Sequence, residues 1–292
     1  MEMTTLQSNN DLTRYADVLP DIVYSEQTGQ KLTLLVPWTT GFKVSGMVPD
    51  LKNDPRPLIV FIQGSGWTSP DIYHEMAQLA PFVKRGYTVA TIEHRSSAGG
   101  HPFPAFLEDT KCAIRFLRKN AALYDIDPDR IAVWGTSSGG NTALLVAATQ
   151  DDPQYKMEEY AEYSDSVCAC VSCFGPIDIR EMLSVPKAEY DVNLMARALF
   201  GKDLADSAEE LKAMSPCCRI SEDRACPPIL LMHGTADTMV PFAQMLKMCD
   251  VLEKNGKEFE ACRVEGAGHE NDFWSDEAFA MIADFLDRKV RA

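Results

Sequence analysis

The sequence predicts an α/β fold in which helices flank a mostly parallel central sheet. Short runs at 58–62 and 87–92 are dominated by apolar and β-branched residues, as is typical of strands covered on both faces. Helical and strand-like segments then alternate toward the C-terminus, which favours parallel strands joined by helices. A glycine-flanked serine, Ser137, lies between a strand-like and a helical segment and marks one strand-to-helix turn.

The remaining elements follow from the hydrophobic periodicity. Strands are predicted at 21–24, 31–36, 130–134, 167–174, 229–232 and 259–264, with a turn at 28–30 and a loop over 46–57. Helices are predicted over 103–123, over 141–148, from about 241 onward, and over 275–289. The whole chain, 1–292, is expected to form one domain.

About fifty residues between the strands near 174 and 229 break the alternation. They include helical pieces at 191–200 and 207–214, and the second begins with the capping-box pattern S-A-E-E at Ser207. We predict that this insertion, about 176–226, forms a helical cap over the edge of the sheet that carries Ser137. The alternative is a solvated excursion without substrate contact.

The charge balance limits the classes of partner. The formal net charge is −15, and no local cluster of Lys or Arg offsets it, so nucleic acid and anionic lipid are not expected partners. No apolar stretch is long enough to cross a bilayer, so no membrane partner is expected either. A neutral small molecule suits this charge best, and the sequence leaves open whether the chain forms a homo-oligomer.

Nine cysteines do not form a disulfide pattern. Their number is odd, and the first residues lack the basic and apolar regions of a signal peptide. Cys168, Cys170 and Cys173 raise the alternative of a metal site, but no histidine or second cysteine pair accompanies them at zinc spacing. We therefore expect buried reduced thiols, no metal and a cytoplasmic location.

Ser137 is the predicted nucleophile. Residues 135–139 read G-T-S-S-G, and a strand that turns directly into a helix at the central serine exposes its hydroxyl at the top of the sheet. The nearby helix N-terminus favours developing negative charge. Ser138 is the competing candidate, but it is not centred between the glycines.

A serine hydroxyl needs a base, and His269 is the best placed of the five histidines. It follows the last predicted strand, where a loop leaves the ligand-binding edge of a parallel sheet. His233 belongs to the end of a strand and is expected to bond locally. His94 and His101 lie in another loop and are the reserve candidates.

Asp237 is the predicted orienting acid because it follows the preceding strand. Its alternative role is that of a turn or capping aspartate before Pro241. Asp272 is close to His269 in sequence and is not preferred. The chain order Ser137, Asp237, His269 is the order of α/β-hydrolases.

An oxyanion needs backbone donors, and two segments supply them. The turn at Ser137 offers the N–H of Ser138, and residues 63–67, Q-G-S-G-W, form a small-residue loop after a strand. Ser65 and Gly66 are the expected donors in that loop, with Trp67 as a third candidate. The alternative is a plain glycine-rich turn.

Taken together, these motifs resemble the α/β-hydrolase esterases, particularly the hormone-sensitive-lipase-like and the feruloyl- and acetyl-esterase-like (BD-FAE-type) branches. The resemblance extends from about residue 20 and rests on Q-G-S-G-W at 63–67, H-P-F-P-A at 101–105, D-P-D-R-I-A-V-W-G at 127–135, the Ser137 turn, H-G-T-A-D at 233–237 and Gly268-His269. It implies an α/β-hydrolase fold, a Ser137–His269–Asp237 triad, no cofactor, and small carboxylic esters such as acetylated or aromatic-acylated sugars as substrates. Gln63 and Ser65 depart from the usual histidine and glycine of the oxyanion motif, and Glu93-His94 precede Arg95 where the family often has Tyr-Arg.

The same residues leave rival functions open. A serine peptidase of the prolyl-oligopeptidase type shares the serine turn, but fewer than sixty residues precede the strand at 58–62. A formamidase-type amidase uses the same triad chemistry. A catalytically inactive binding module is the rival from a different class, and the intact serine, aspartate and histidine argue against it.

Overall fold

An eight-stranded sheet forms the centre of the computed structural model, which describes residues 3–8, 11, 15–47, 54–184 and 191–291. The strands are β1 Ala16–Val23, β2 Lys31–Pro37, β3 Arg56–Ile62, β4 Thr88–Ile92, β5 Ile126–Thr136, β6 Ala169–Cys173, β7 Ile229–Gly234 and β8 Phe259–Val264. Their order in the sheet is β1-β2-β4-β3-β5-β6-β7-β8. Only the β1–β2 and β2–β4 pairs are antiparallel, which confirms the predicted mostly parallel sheet.

Helices cover both faces of the sheet. They are α1 Trp38–Ser45, α2 Met76–Lys84, α3 Ala105–Lys119, α4 Ser138–Ala148, α5 Ile179–Ser184, α6 Val192–Phe200, α7 Ala208–Ala213, α8 Ala243–Lys254 and α9 Asp276–Val290. Phe82 of α2 and Phe285 of α9 belong to the apolar core on one face, and Phe106 of α3, Leu145 of α4 and Met248 of α8 to that on the other. None of the helices in the described part of the chain is long and apolar enough to span a membrane.

Several element boundaries differ from the sequence predictions. The helix predicted over 103–123 begins at Ala105, after Pro104, and ends at Lys119, where the Asn120 side chain donates to the Phe116 carbonyl at 2.8 Å. β5 is longer than the predicted 130–134. The helices α1 and α2 were not predicted, and part of the predicted 46–57 loop, residues 48–53, lies outside the described residues.

Three short helices, α5 to α7, occupy the insertion between β6 and β7, of which residues 185–190 lie outside the described residues. The capping box expected at Ser207 is wrong: the Ser207 hydroxyl donates to the Asp203 carbonyl at 2.8 Å and makes no cap bond. Glu210 instead pairs with Lys202 at 2.8 Å, so its carboxylate is engaged by a neighbouring charge and not by the helix terminus. Asp191 does cap α6, accepting from the N–H of Asn193 at 2.9 Å.

The turn between β5 and α4 tolerates only glycine at two positions. A Cβ on Gly135 would lie 2.0 Å from the Gly139 carbonyl oxygen, and a Cβ on Gly139 would lie 2.0 Å from the Ile62 carbonyl oxygen. These are backbone atoms of buried elements, so neither side can move away. The two glycines therefore let β3, β5 and α4 approach closely enough to set the position of Ser137.

We expect Gly139→Ala to lower the free energy of unfolding by about 3 kcal/mol or to prevent folding, because overpacking against backbone is not relieved by a rotamer change. Urea unfolding followed by circular dichroism measures the change. Gly99→Ala is the matched control, since its Cβ would meet the Ser96 Cβ at 3.3 Å in an exposed turn. Equal stability of the two variants would contradict the close-packing explanation.

Candidate active site

Ser137 is held in a strained conformation at the end of β5. Its φ of 50° and ψ of −123° are unusual for a residue other than glycine. The Ser137 N–H donates to the Cys173 carbonyl at 2.9 Å, and α4 starts at the next residue. The side chain is therefore presented at the C-terminal edge of the sheet, beside the N-terminus of a buried helix.

A continuous hydrogen-bond chain joins the three predicted triad residues. His269 Nε2 lies 2.9 Å from Ser137 Oγ, and His269 Nδ1 lies 2.7 Å from Asp237 Oδ2. A carboxylate only accepts, so Nδ1 carries the proton and Nε2 of the neutral ring accepts from the serine hydroxyl. These residues, 132 and 32 positions apart along the chain, are within direct hydrogen-bond reach.

The Asp237 side chain is fully buried and has several donors. Its Oδ1 accepts from the N–H groups of Met239 at 2.9 Å and Val240 at 2.8 Å. Burial alone would raise the pKa of Asp237, but hydrogen bonds from His233, His269 and Val240 outweigh it and hold the pKa well below its usual range. The carboxylate therefore stays charged in mildly acidic solution.

His233 bonds locally, as its position at the end of β7 indicated. Its Nε2 lies 2.8 Å from the Val240 carbonyl and 3.3 Å from Asp237 Oδ2. The first contact closes the turn that follows Asp237, and the second places another nitrogen beside the buried carboxylate. His233 thus stabilises the Asp237 carboxylate, whereas the imidazole bonded to Ser137 Oγ is that of His269.

Two loops must lie close together to bring Asp237 and His269 into contact. A Cβ on Gly234 would lie 2.3 Å from the Ala267 carbonyl oxygen, so glycine permits this approach. The Ala236 N–H donates to the same carbonyl at 2.9 Å. Asp272 supports the histidine loop by accepting from the Gly268 N–H at 2.9 Å. Among the described residues, the carboxylate bonded to the His269 ring is that of Asp237.

An aromatic ring supports the imidazole from the side. Phe174, which directly follows β6, packs edge-on against His269 with ring centroids 4.8 Å apart. Its φ of 41° is again in the left-handed region, and its side chain is fully buried. The ring limits rotation of His269 about its side-chain bonds and keeps Nε2 directed at Ser137.

The loop at 63–68, called the oxyanion loop below, lies against the serine turn. The Gly64 N–H donates to Thr136 Oγ1 at 2.8 Å, and the Ser65 N–H donates to Ser138 Oγ at 2.9 Å. The Ser65 N–H is thus already used, which does not fit the donor role expected for it. The N–H groups of Gly66 and Trp67 have no acceptor within the part of the chain that the structure describes.

Ser138 occupies the first position of α4, where backbone N–H groups lack intrahelical acceptors. Its hydroxyl is buried and accepts from Ser65, which distinguishes its surroundings from those of Ser137. Of the two serines, Ser137 is the one bonded to His269. Gly66 and Trp67 have φ values of 60° and 59°, which turn the backbone of the oxyanion loop beside the serine turn.

An apolar cavity of about 220 Å³ opens beside Ser137. The cavity wall is formed by the serine turn, the oxyanion loop, the segment after β7 and the insertion, and it includes Gly66, Trp67, Ser137, Ser138, Pro176, Met182, Leu183, Val192, Met195, Met239 and Val240. Five of these residues, from Pro176 to Met195, belong to the insertion predicted as a cap. Sequence reasoning did not identify any of them individually, because their apolar character matches that of ordinary core residues.

The other candidates lie elsewhere. His94 and His101 line a separate polar cavity together with residues of the β1–β2 turn, and neither lines the cavity beside Ser137. Cys168, Cys170 and Cys173 are free thiols, as are the other six cysteines. Across the described ranges, no three His, Cys, Asp or Glu side chains are grouped so that they could hold a metal ion.

The sheet topology and the Ser137–His269–Asp237 arrangement define an α/β-hydrolase. Comparison with protein families gives a more specific assignment. The BD-FAE family matches residues 47–252, which is most of the chain. The chain belongs to the BD-FAE family.

Individual relatives are named as esterases. Esterase LipC of Mycobacterium tuberculosis is 28% identical over 222 residues, 75% of this chain and 54% of LipC. The chain thus spans about half the length of this curated relative, and 61% of a second, Esterase LipQ.

Solved structures agree over nearly the full chain. A truncated carbohydrate esterase from gut microbiota has a TM-score of 0.81 at 26% identity, covering 96% of this chain and 98% of that one. Thermogutta terrifontis Est2, a thermophilic esterase, has a TM-score of 0.71 at 28% identity, covering 94% and 93% of the two chains.

Proposed function

We propose that the protein hydrolyses small carboxylic esters, with Ser137 as nucleophile, His269 as general base and acid, and Asp237 as the orienting carboxylate. The observation that carries this proposal is the unbroken hydrogen-bond chain from Ser137 Oγ through the imidazole to a buried carboxylate. The esterase relatives support the reaction type. The small-molecule ester is the only partner that the proposal requires.

In the first half-reaction, Ser137 Oγ forms a bond to the carbonyl carbon of the ester while its proton moves to His269 Nε2. Asp237 accepts a hydrogen bond from Nδ1 and stabilises the resulting imidazolium. The tetrahedral intermediate then breaks its bond to the alcohol oxygen, which takes the proton from Nε2. An acyl group remains on Ser137, and the alcohol leaves.

In the second half-reaction, water replaces the alcohol. His269 Nε2 removes a proton from water, whose oxygen attacks the acyl carbon. Collapse of the second tetrahedral intermediate breaks the bond to Ser137 Oγ, which recovers the proton from Nε2. The free carboxylic acid leaves, and the side chains return to their starting protonation states.

Backbone donors would stabilise the negative oxygen of both intermediates. Ser138 N–H and Gly66 N–H are our assigned donors, with Trp67 N–H as a third, because each lines the cavity and Ser65 N–H is bonded to Ser138 Oγ. The Ser65–Ser138 bond instead holds the oxyanion loop against the serine turn. One such donor contributes about 10²–10³ in turnover in well-studied hydrolases.

The apolar cavity suits the acyl portion of the ester. Its volume of about 220 Å³ and its lining by methionine, leucine and valine side chains favour a short aliphatic or a single-ring aromatic acyl group. Acetylated or feruloylated sugars are the proposed substrates, a choice supported by the carbohydrate esterase among the similar structures. The nine free thiols support a cytoplasmic location.

Hydrolysis of p-nitrophenyl esters, together with labelling by a fluorophosphonate probe, tests the function. An active hydrolase both releases p-nitrophenol and forms a covalent adduct. A catalytically inactive binding module does neither, and an amidase or peptidase also cleaves the matched anilides, which an esterase leaves intact. Failure of both ester turnover and labelling in folded protein would reject the proposal.

Opening the acyl cavity should change chain-length preference. We expect Met195→Ala to raise the octanoyl-to-acetyl ratio of kcat/KM by about fourfold for each additional methylene that becomes buried, from ~0.8 kcal/mol per buried CH₂. Leu194→Ala is the matched control, because this neighbour on the same helix is 64% exposed and does not line the cavity. An unchanged ratio in Met195→Ala would show that the acyl group lies elsewhere.

A further inference from the structure

We propose that a cavity between α2 and α9 binds a small organic cation that carries an alkylammonium group. This cavity, called the aromatic cavity below, has a volume of about 300 Å³, at the lower end of the range of ligand pockets. Its wall includes Phe61, Glu75, Trp134, Glu270, Trp274 and Phe279. Neither Ser137 nor His269 lines it, so the site is distinct from the acyl cavity and goes beyond the proposed ester hydrolysis.

Aromatic rings form much of the cavity wall. Trp274 and Phe279 are stacked, with ring centroids 4.9 Å apart and planes 19° from parallel. The Trp134 ring meets both of them edge-on, at 6.3 Å and 6.4 Å, and Phe61 packs edge-on against Trp134 at 5.1 Å. Trp274 and Phe279 are only partly buried, so a ligand in the cavity can reach them. The negative face of an aromatic ring attracts a cation, and tryptophan attracts it most strongly.

Two glutamates add negative charge to the same wall. Glu270 Oε2 accepts from Trp274 Nε1 at 3.3 Å, and the Glu75 carboxylate accepts a hydrogen bond from Gln63. Both donors are neutral, and the described residues that line the cavity include no lysine or arginine. Glu75 directly precedes α2, but its side chain makes no cap bond to that helix. The protein therefore supplies neither carboxylate with a lysine or arginine partner inside the cavity.

The free protein holds these two like charges in a partly dehydrated space. Burial raises the pKa of Glu75, and the Glu270 carboxylate raises it further, while Gln63 and His74 lower it. A cation between the two carboxylates would remove their repulsion. The formal net charge of −15 attracts a ligand of the same sign over a longer range.

The wall suits an organic cation better than a metal ion. Calcium and magnesium ions require about six or more oxygen ligands, and aromatic rings supply none. Within the described part of the chain, no three His, Cys, Asp or Glu side chains are grouped so that they could hold a metal ion. The methyl or methylene groups of an alkylammonium ion, in contrast, gain from burial against the rings while its charge faces the carboxylates.

The aromatic cavity adjoins the active site through two of its loops. Glu270 directly follows His269 and has a φ of 70°. Gln63, the first residue of the oxyanion loop, bonds to Glu75 and accepts from the Asp71 N–H through Oε1. The glutamine that replaces the usual histidine of the oxyanion motif thus joins this loop to the aromatic cavity. Because the two cavities share no lining residue, a cation can be bound while Ser137 remains accessible to an ester.

Calorimetric titration of the wild-type protein with choline chloride, in mildly alkaline buffer of constant ionic strength, tests the proposal without turnover. We expect saturable binding at millimolar concentration or tighter. The neutral analogue 3,3-dimethylbutanol, in which carbon replaces the quaternary nitrogen, should bind about fivefold or more weakly, because it fills the same space without the charge. Magnesium chloride at matched ionic strength should not displace choline.

Glu75→Gln and Glu270→Gln each remove one carboxylate with little change in shape. Each should weaken choline binding by about 3- to 10-fold, because one attractive charge is lost. Glu277→Gln is the matched control, since this residue is exposed in the first turn of α9, does not line the cavity, and loses the same charge. Its affinity for choline should equal that of the wild-type protein. Thermal unfolding verifies that the variants are folded, and the two ligands compared on unmodified protein test the site even where a variant is not.

Several results would overturn the proposal. They are the absence of saturable choline binding, equal binding of choline and its neutral analogue, displacement of choline by magnesium, and equal affinities in the Glu75, Glu270 and Glu277 variants. Ser137→Ala should bind choline as the wild-type protein does. A protein that binds choline but hydrolyses no p-nitrophenyl ester keeps the cation site and loses the proposed hydrolase function, and the reverse result separates the two proposals in the other direction.

Discussion

Ser137→Ala should reduce kcat on p-nitrophenyl acetate by about 10⁴–10⁶-fold and abolish fluorophosphonate labelling, because no acyl-enzyme forms without the hydroxyl. The loss should appear in kcat with little change in KM, since the acyl cavity is untouched. The alanine side chain fits the strained turn at least as well as serine does, so stability should not fall. Steady-state kinetics and gel-based labelling measure the two effects.

Ser138→Ala is the control for this experiment. Its hydroxyl accepts from the Ser65 N–H at 2.9 Å, so the variant loosens the oxyanion loop but keeps the backbone donor of residue 138. We expect labelling to be retained and kcat to fall about tenfold, because the loss of one hydrogen bond leaves the oxyanion loop less well positioned. If labelling persists in Ser137→Ala and vanishes in Ser138→Ala, the nucleophile is Ser138 and our assignment of Ser137 is wrong.

Asp237→Asn should lower kcat by about 10³–10⁴-fold while preserving the fold. An amide can present its NH₂ group to His269 Nδ1, which then accepts, leaving Nε2 protonated and unable to take the Ser137 proton. The N–H groups of Met239 and Val240 still find an oxygen acceptor on the amide. The kinetic loss should therefore greatly exceed the change in thermal stability.

Asp284→Asn supplies the matched carboxylate-to-amide change far from the hydrogen-bond chain. Asp284 has a 61% exposed side chain and pairs with Arg85 at 3.0 Å, so its substitution should leave kcat within about twofold, as is usual for exposed ion pairs. A comparable loss of activity in both variants would mean that the Asp237 effect is not specific to the histidine contact.

Much of the fold was predictable because hydrophobic patterning is local. β8 lies at the predicted 259–264, and the predicted 31–36 strand differs from β2 by one residue. The capping box at Ser207 failed because neighbouring residues engage its two members: the Ser207 hydroxyl donates to the Asp203 carbonyl, and Lys202 pairs with Glu210. The helix α2, which lies between β3 and β4 in the chain, was also not predicted.

The candidate site was likewise predictable only in part from the sequence. Ser137, Asp237 and His269 were identified from their positions after strands, and their proximity needed no more than the edge rule for parallel sheets. The bond from Ser65 to Ser138 could not be foreseen, since two serines in separate motifs carry no sign of pairing. Phe174 and Met195 were likewise indistinguishable from core residues until the chain had folded.

The amino-acid sequence by itself determined the α/β architecture, the serine turn and the order of the three polar side chains, because apolar periodicity and glycine spacing act over a few residues. Only the tertiary structure decided which backbone donors are available, which insertion residues line the acyl cavity, and that Glu75 and Glu270 line one aromatic cavity. Those features depend on contacts between segments far apart in the chain. Their geometry arises when strands from different regions align at one edge of the sheet.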